Sequence, residues 1–183
     1  MERNDRNSYS DQGWELLKVN DYERLKEFDC GNEDLNDFFR NDALAHKNEL
    51  LCETYYIREA TVKDEFPVAL ISLCNDAVRY ENVWWWLSLH AAKKYPTYPA
   101  VKIARFGVDN RFQRRNIGTH VINMIKKLFL TDNRTGCRLV TVDAYNDPAV
   151  LDFYLKNGFQ FFSDKDKNKK QRSLFFDLKR LQI

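Results

Sequence analysis

Long apolar runs are missing from the sequence, and this absence narrows the kind of protein it encodes. No stretch approaches the roughly 20 consecutive apolar residues that a membrane span needs. The first ten residues, MERNDRNSYS, contain no apolar region of the kind found in a secretory signal peptide. We therefore expect a soluble, cytoplasmic protein. Neither sign of charge dominates, since the net charge is +2 over 183 residues, which neither requires nor excludes a nucleic-acid partner.

Cysteine and histidine are also sparse and are not arranged in metal-binding spacings. The four cysteines are far apart and form no CxxC pair: Cys30, Cys52, Cys74 and Cys137. The three histidines form no HxxxH pair and lie near no cysteine pair: His46, His90 and His120. We expect reduced thiols, mostly in the core, and no metal site.

The apolar residues that are present, 44% of the chain, are enough for the core of one domain. We predict a flexible N-terminus over residues 1–12 and a single domain over 13–183. Hydrophobic periodicity and turn residues predict strands over 14–19, 51–60, 66–74, 100–108, 138–144, 159–162 and 173–178. They predict helices over 34–50 and 116–130 and a short helix from Asp147, an N-cap followed by a proline, to Gly158. The fold class is α/β (α+β), with a mixed sheet.

The most informative stretch is Gln113-Arg114-Arg115-Asn116-Ile117-Gly118-Thr119, which lies between a strand and a helix. Unpaired amide groups and the positive end of the helix dipole converge at such a junction, so it predicts a site for an anion such as phosphate. The stretch lacks the GxxxxGK[ST] pattern of a P-loop and the three glycines of a dinucleotide-binding fingerprint. After glycine, asparagine is the residue that best tolerates a positive φ, so Asn116 is compatible with a tight turn.

The pattern Gln-x-x-Asn-x-Gly over 113–118 resembles motif A of the GNAT (Gcn5-related) N-acetyltransferases, Gln/Arg-x-x-Gly-x-Gly/Ala, with Asn116 in place of the first glycine. A second segment, from Asn146 and Ala149 to Tyr154 and Gly158-Phe159, resembles motif B of the same family. The resemblance covers roughly residues 14–178. It implies a single GNAT-like domain with a mixed, mostly antiparallel sheet of about six to seven strands, flanked by helices and splayed at its central parallel strands.

The resemblance implies acetyl-CoA as cosubstrate and a direct attack of an amine on its thioester. In the family, the loop amides bind the pyrophosphate, and a tyrosine at the position of Tyr154 assists departure of the thiolate. The implied cofactor-binding residues are Phe106, Gly107, Val108, Gln113, Arg114, Arg115, Asn116, Ile117, Gly118, Thr119, Asn146 and Tyr154. A purely structural role remains an alternative for two of them, since Tyr154 suits an aromatic core and Asn146 suits a turn.

Strand 100–108 carries no carboxylate, although many family members have a glutamate base there. Either Glu53, Glu59 or Asp76 acts through water, or the acceptor is an amine of low pKa, such as an α-amine, that needs no strong base. Arg105 lies between apolar residues and is either ion-paired or directed at an acidic acceptor. The tryptophans at 84–86 pack in the core or a dimer interface, or they line an acceptor pocket.

The segment from Phe28 to Phe39 (FDCGNEDLNDFF) resembles the GNAT toxins of toxin–antitoxin pairs, which acetylate aminoacyl-tRNA. Three functions therefore stay open: an N-acetyltransferase with an unidentified amine acceptor, a toxin acting on aminoacyl-tRNA, and a non-catalytic acyl-CoA-binding module. The toxin alternative adds tRNA and an antitoxin as partners, and the resemblance allows a homodimer. The basic residues between Lys165 and Arg172 would suit tRNA.

Overall fold

The computed structural model describes residues 8–61, 66–79, 95–131 and 135–181, and in this part of the chain it gives eight strands and four α-helices. The strands are β1 (Ser8–Asp11), β2 (Trp14–Lys18), β3 (Glu53–Glu59), β4 (Ala69–Arg79), β5 (Thr97–Val108), β6 (Leu139–Tyr145), β7 (Gln160–Phe161) and β8 (Gln171–Asp177). The α-helices are α1 (Glu33–Asp37), α2 (Ala43–Asn48), α3 (Ile117–Thr131) and α4 (Pro148–Lys156). Short 3₁₀ helices cover Tyr22–Glu27, Asn110–Phe112 and Leu178–Leu181, and a π-helical stretch covers Phe38–Asp42.

The strands form a mixed sheet in the order β1-β2-β3-β4-β5-β6-β8-β7. A parallel pairing joins β5 to β6, from Ala100 opposite Leu139 to Ile103 opposite Val142. The pairings of β1 with β2, β2 with β3, β3 with β4, β6 with β8 and β7 with β8 are antiparallel. The predicted mixed, mostly antiparallel sheet is therefore confirmed. The count of eight exceeds the predicted six to seven.

The added strand, β1, lies inside the segment predicted to be a flexible N-terminus. Its four residues pair with β2, and Asp11 lies opposite Trp14. The two residues between them, Gln12 and Gly13, both have positive φ (50° and 82°), as in the tight hairpin turns that suit twisted strands. The sequence of β1 has no alternation of apolar and polar residues that would predict a strand. The strand forms through backbone pairing with β2.

Contacts divide the chain into two compact units, of which the first contains Met1–Cys74 and Ala104–Leu128. Its core combines the 3₁₀ turn, the helical segment that starts at α1, and β4. The buried members of this core are Val19, Leu25, Phe28, Phe38, Phe39, Ala43 and Leu70. The helical segment starts where the sequence predicts, because Asn32 accepts a hydrogen bond from the Leu35 amide at 3.1 Å as its N-cap.

The second unit contains Asn75–Ile103 and Phe129–Ile183. Here α4 begins as predicted, since the Asp147 carboxylate caps the amides of Ala149 and Val150 and Pro148 is the first helical residue. Gly158, at φ 79°, follows the end of the helix. A cluster of buried residues packs on this part of the sheet: Val78, Tyr98, Ala100, Leu139 and Phe175.

Two of the sequence predictions lie outside the described residues. These are the turn at 62–65, between the predicted strands 51–60 and 66–74, which we expect to form a hairpin, and the tryptophans at 84–86. Within the described residues, no helix combines the length and the apolarity needed to cross a membrane.

Candidate active site

The junction of β5 and α3, in the first unit, has the backbone shape that an anion site needs. We call residues 109–116 the Asn116 loop. It leaves β5 at Val108, makes one 3₁₀ turn, and enters α3 at Ile117. Two of its residues have left-handed backbone, Arg114 and Asn116, each with a φ of 61°. Asn116 is thus compatible with the turn, as its residue type suggested, and Arg114 adopts the same conformation.

Helix α3 supplies the electrostatic part of this site. It is 15 residues long, and its first turn contains Ile117, Gly118 and Thr119. The first N–H groups of an α-helix have no partner within the helix, and they lie at the positive end of its dipole. Arg114 and Arg115 are exposed beside this terminus. The terminus is thus suited to a phosphate or pyrophosphate group.

The Gln113 side chain holds the loop together from within. Its Nε2 group lies 2.9 Å from the carbonyl oxygen of Cys30, 3.0 Å from that of Val108 and 3.0 Å from Oδ1 of Asn110. Three acceptors thus surround one amide nitrogen. Gln113 therefore shapes the loop through its side-chain Nε2 group. Its predicted place among the cofactor-binding residues stays a prediction.

Asp109 is the buried carboxylate at the base of the loop, with 1% of its surface exposed. Arg111 donates to both of its oxygens, from Nε at 2.8 Å and from Nη2 at 3.2 Å. Burial alone would raise the pKa of Asp109, but hydrogen bonds from Arg111 and from the Asp29 amide outweigh it and lower the pKa. In the sequence, only the position of Asp109 directly after a predicted strand points to its place at the base of the loop.

The last residues of β5 are Phe106, Gly107 and Val108, of which Gly107 is buried and the other two are half-buried. A β-carbon added at Gly107 would lie 3.0 Å from both Cβ and Sγ of Cys30. Gly107 therefore permits a close approach between β5 and the chain around Cys30.

Arg105, further back on β5, was predicted to be either ion-paired or directed at an acceptor. Among the described residues it forms no ion pair. Its guanidinium lies 4.9 Å from the centre of the Phe38 ring, and its Nη1 donates to the Ala104 carbonyl oxygen at 2.9 Å. Nε of Arg105 is buried without a hydrogen-bond partner in the described part of the chain.

The second unit holds Tyr154, on α4. The residue is 6% exposed, and its ring packs edge-on against Phe153 and Phe159, with centroids 5.1 and 5.3 Å away. Burial raises the pKa of Tyr154 well above the usual value for a phenol. Its hydroxyl therefore stays protonated at neutral pH and can donate a hydrogen bond.

Asn146, at the end of β6 in the same unit, is bound to the charged loop that precedes β8. Its Nδ2 group donates to the carbonyl oxygens of Lys167 and Lys169, each at 2.9 Å. Its backbone amide donates to the Lys170 carbonyl oxygen at 2.9 Å. The side-chain amide thus orders that loop, and a contact between Asn146 and a cofactor stays a prediction.

Two of the three carboxylates considered as bases have side-chain partners of their own. Glu53 is paired with Lys18 at 3.3 Å, and Asp76 accepts a hydrogen bond from the buried Thr141 hydroxyl at 2.6 Å. Glu59 is the exposed last residue of β3. A further carboxylate, that of Asp143 on β6, accepts hydrogen bonds from Lys102 and from the Ser173 hydroxyl. From these contacts, none of the four carboxylates is identified as a general base.

One family of proteins and several solved structures resemble this chain. The model of the acetyltransferase (GNAT) family matches residues 23–159. A search of the curated proteins gave no match.

Among solved structures, one described as a bacterial toxin is 18% identical, with a TM-score of 0.69, and the alignment covers 91% of this chain and 93% of that one. The AtaTR complex bound with acetyl-CoA is 19% identical, with a TM-score of 0.66 and coverage of 93% and 96%. AtaT in complex with acetyl-methionyl-tRNAfMet is 18% identical, with a TM-score of 0.66 and coverage of 92% and 97%. At these identities the likeness concerns the fold.

Proposed function

The chain belongs to the acetyltransferase (GNAT) family, whose members use acetyl-CoA as cosubstrate, and from this we propose where the cosubstrate binds and what is acetylated. We infer that the Asn116 loop and the first turn of α3 bind the pyrophosphate through backbone N–H groups. The observation that carries this proposal is the left-handed backbone at Arg114 and Asn116 directly before a 15-residue helix. Arg114 and Arg115 would add positive charge beside it.

We assign Tyr154 to the departing sulfur. When an amine attacks the thioester, the new C–N bond forms, the C–S bond breaks, and the sulfur leaves as a thiolate. A phenol whose pKa is raised by burial remains protonated at neutral pH, so it can stabilise that thiolate by donating a hydrogen bond. The two flanking rings fix the orientation of Tyr154 without using its hydroxyl.

The test of this assignment is Tyr154→Phe, with acetyl-CoA binding measured by calorimetry and turnover measured by the release of CoA thiol. We expect turnover to fall by about 100-fold. Affinity for acetyl-CoA should stay within about twofold, because the ring contacts are retained. Tyr98→Phe, at another buried tyrosine of the second unit, is the matched control. Equal turnover in the wild type and Tyr154→Phe would overturn the assignment, and no binding of acetyl-CoA would overturn the proposed site.

The acceptor we propose is an amine of low pKa, such as an α-amine. Strand β5 carries no carboxylate, and Glu53 and Asp76 are engaged by other side chains. An α-amine, with a pKa near 8, is partly neutral at pH 7 without a base, whereas a lysine amine, near 10.4, is not. Amino-acid amides should therefore be acetylated faster than an N-terminally blocked lysine peptide at pH 7. The reverse preference would contradict the proposal.

A second candidate, acetylation of aminoacyl-tRNA, is favoured by a cationic loop. Residues 163–172 contain five basic side chains and two carboxylates, a net charge of +3, against +2 for the whole chain. The buried Arg172 binds Asp166 at 2.8 Å, and Asn146 fixes the backbone, so the exposed charge is mainly that of lysines. These lysines are Lys165, Lys167, Lys169 and Lys170. Such point charges suit a phosphate backbone.

The loop also lacks the apolar anchor that a protein partner would need. Its exposed residues are polar or charged, and lysine is depleted in protein–protein interfaces. The toxin–antitoxin neighbours, one of them in complex with acetyl-methionyl-tRNAfMet, support RNA as the partner and an antitoxin as a regulator.

Binding of tRNA by the cationic loop is tested with the double variant Lys167→Gln/Lys169→Gln. The control is Lys26→Gln/Lys179→Gln, which removes two exposed lysines outside the loop. Affinity for charged tRNA, measured by fluorescence anisotropy, should fall only in the first variant. The dependence of its affinity on salt should also become shallower. Equal affinity in both variants would contradict a role of the loop. Normal growth and unmodified tRNA on induced expression would contradict the toxin function.

A cytoplasmic location belongs to the same proposal, because the four cysteines form no disulfide and that compartment keeps thiols reduced.

A further inference from the structure

The segment from Phe28 to Asn36, which we call the Asp29 turn, is bonded directly to the Asn116 loop within the first unit. Three hydrogen bonds join them. The Asn110 amide donates to the Asp29 carbonyl oxygen at 2.8 Å, the Asp29 amide donates to the Asp109 carboxylate at 3.3 Å, and Gln113 Nε2 donates to the Cys30 carbonyl oxygen at 2.9 Å. About 80 residues of sequence separate the partners.

One buried side chain fixes the shape of the Asp29 turn. Asn36 is 3% exposed; its Oδ1 accepts from the Cys30 amide at 2.9 Å, and its Nδ2 donates to the Asp29 carboxylate at 2.8 Å. The same carboxylate oxygen accepts from the Gly31 amide at 2.8 Å. Hydrogen bonds from Gly31 and Asn36 lower the pKa of Asp29, so it is charged at neutral pH. The carbonyl groups that face the Asn116 loop are thereby held in place.

The two segments also approach too closely for either to shift alone. A β-carbon on Gly31, whose φ is 78°, would lie 3.0 Å from Oδ1 of Asn110. On the other side, Gly107 allows a similar approach to Cys30. A change in the Asp29 turn must therefore move the loop.

The Asn116 loop needs such support. Left-handed backbone at Arg114 and Asn116 is a conformation that residues with a β-carbon adopt at a cost, and it persists where the surroundings determine it. Asp109, Asn110 and Gln113 connect the loop to its surroundings. All three are hydrogen-bonded to the Asp29 turn.

We propose that Asn36 and Asp29 are positioning residues for the pyrophosphate of acetyl-CoA, acting through the Asn116 loop. This inference rests on the proposed function, in which that loop binds the pyrophosphate. It assigns a role in cosubstrate affinity to a segment whose residues precede the loop by some 80 positions. The role is specific to the nucleotide end of the cosubstrate, since the loop would contact that end alone.

The test compares two donors that share the thioester: acetyl-CoA, and S-acetyl-pantetheine, which lacks the pyrophosphate and the nucleotide. Their dissociation constants are measured by calorimetry, directly or by competition. Asn36→Leu removes the hydrogen bonds of this side chain with Cys30 and Asp29 at similar volume. Asp29→Ala removes the carboxylate at an exposed position, where the variant should fold even if Asn36→Leu does not. Asn41→Ala is the control, because Asn41 lies on the same helical segment and its side chain bonds only the nearby Asp37 among the contacts in the described residues.

For each of the two test variants, we expect affinity for acetyl-CoA to fall about tenfold, as when one hydrogen bond is misplaced, and affinity for S-acetyl-pantetheine to stay within about twofold. Asn41→Ala should change neither. Unchanged acetyl-CoA affinity in Asp29→Ala, or an equal loss for both donors, would overturn the positioning role. If the wild type binds the two donors equally, the pyrophosphate site itself is wrong, which is a failure of the proposed function and not of the positioning role alone.

Discussion

Gly107→Ala should destabilise the protein by a steric conflict that one further substitution relieves. The added β-carbon would lie 3.0 Å from Cβ and Sγ of Cys30 and 3.4 Å from Cε1 of Phe28. Phe28 is fully buried, so it cannot turn away from the new methyl group. Cβ of Cys30 is fixed to the backbone, and that backbone is bonded to Asn36 and Gln113.

The conflict therefore has to be relieved by a shift of the backbone by a few tenths of an ångström. Inserting a methyl group into a well-packed site of this kind costs about 2 kcal/mol. For a chain of this size, such a loss corresponds to a fall in Tm of roughly 4–8 °C. Because Gly107 lies two residues before the Asn116 loop, we also expect weaker binding of acetyl-CoA.

The assay is a double-mutant cycle, with the free energy of unfolding measured by urea titration for the wild type, Gly107→Ala, Cys30→Gly and the double variant. Cys30→Gly removes both atoms at 3.0 Å. The two substitutions should couple favourably by about 1 kcal/mol or more, so that Gly107→Ala costs much less in the Cys30→Gly background. Additive effects would refute the argument, since they would show that the Cys30 contact does not cause the loss.

Three further predictions concern stability. The pKa of Asp109 is lowered in the folded state, so its contribution to the free energy of unfolding is complete above the ordinary carboxyl pKa of 3.8 and is lost as the pH falls below that value. When the free energy of unfolding is measured over an acid titration, it should therefore decline less steeply in Asp109→Asn than in the wild type. Gly158→Ala should lower stability by about 1–2 kcal/mol, because the position has a φ of 79° and the new β-carbon would lie 3.1 Å from Phe176. Asp147→Ala should cost about 1 kcal/mol through loss of the α4 cap, and Asp147→Asn, which keeps a capping oxygen, should cost less. Thermal melts that rank these two Asp147 variants equally would contradict the capping argument.

Local patterns in the sequence predicted most of the helices and strands, because each pattern carries its own physical signal. The apolar spacing of 116–130 predicted α3, and Asp147 with Pro148 predicted the start of α4. Asn116, a residue type that tolerates left-handed backbone, adopts it. The loop between strand and helix, together with the second motif, indicated the family that the family-model match establishes.

The polar contacts within the site depended on partners that are distant in the sequence. No local pattern shows that Asn36 and Asp29 hold the loop at Asp109, because these residues meet only when the chain folds. For the same reason, no local pattern predicts that Nε2 of Gln113 donates hydrogen bonds to the backbone carbonyl groups of Cys30 and Val108.

The sequence by itself determined most of the helices and strands, the family and the position of the turn between β5 and α3, since these follow from residue spacing and backbone preference over a few residues. Only the tertiary structure decided which side chains are free to face a ligand and which are used to hold the backbone. It also decided the pairing of β1, whose polar residues carry no apolar signal. Hydrogen bonds between distant segments depend on the three-dimensional path of the chain, which no short stretch of sequence specifies.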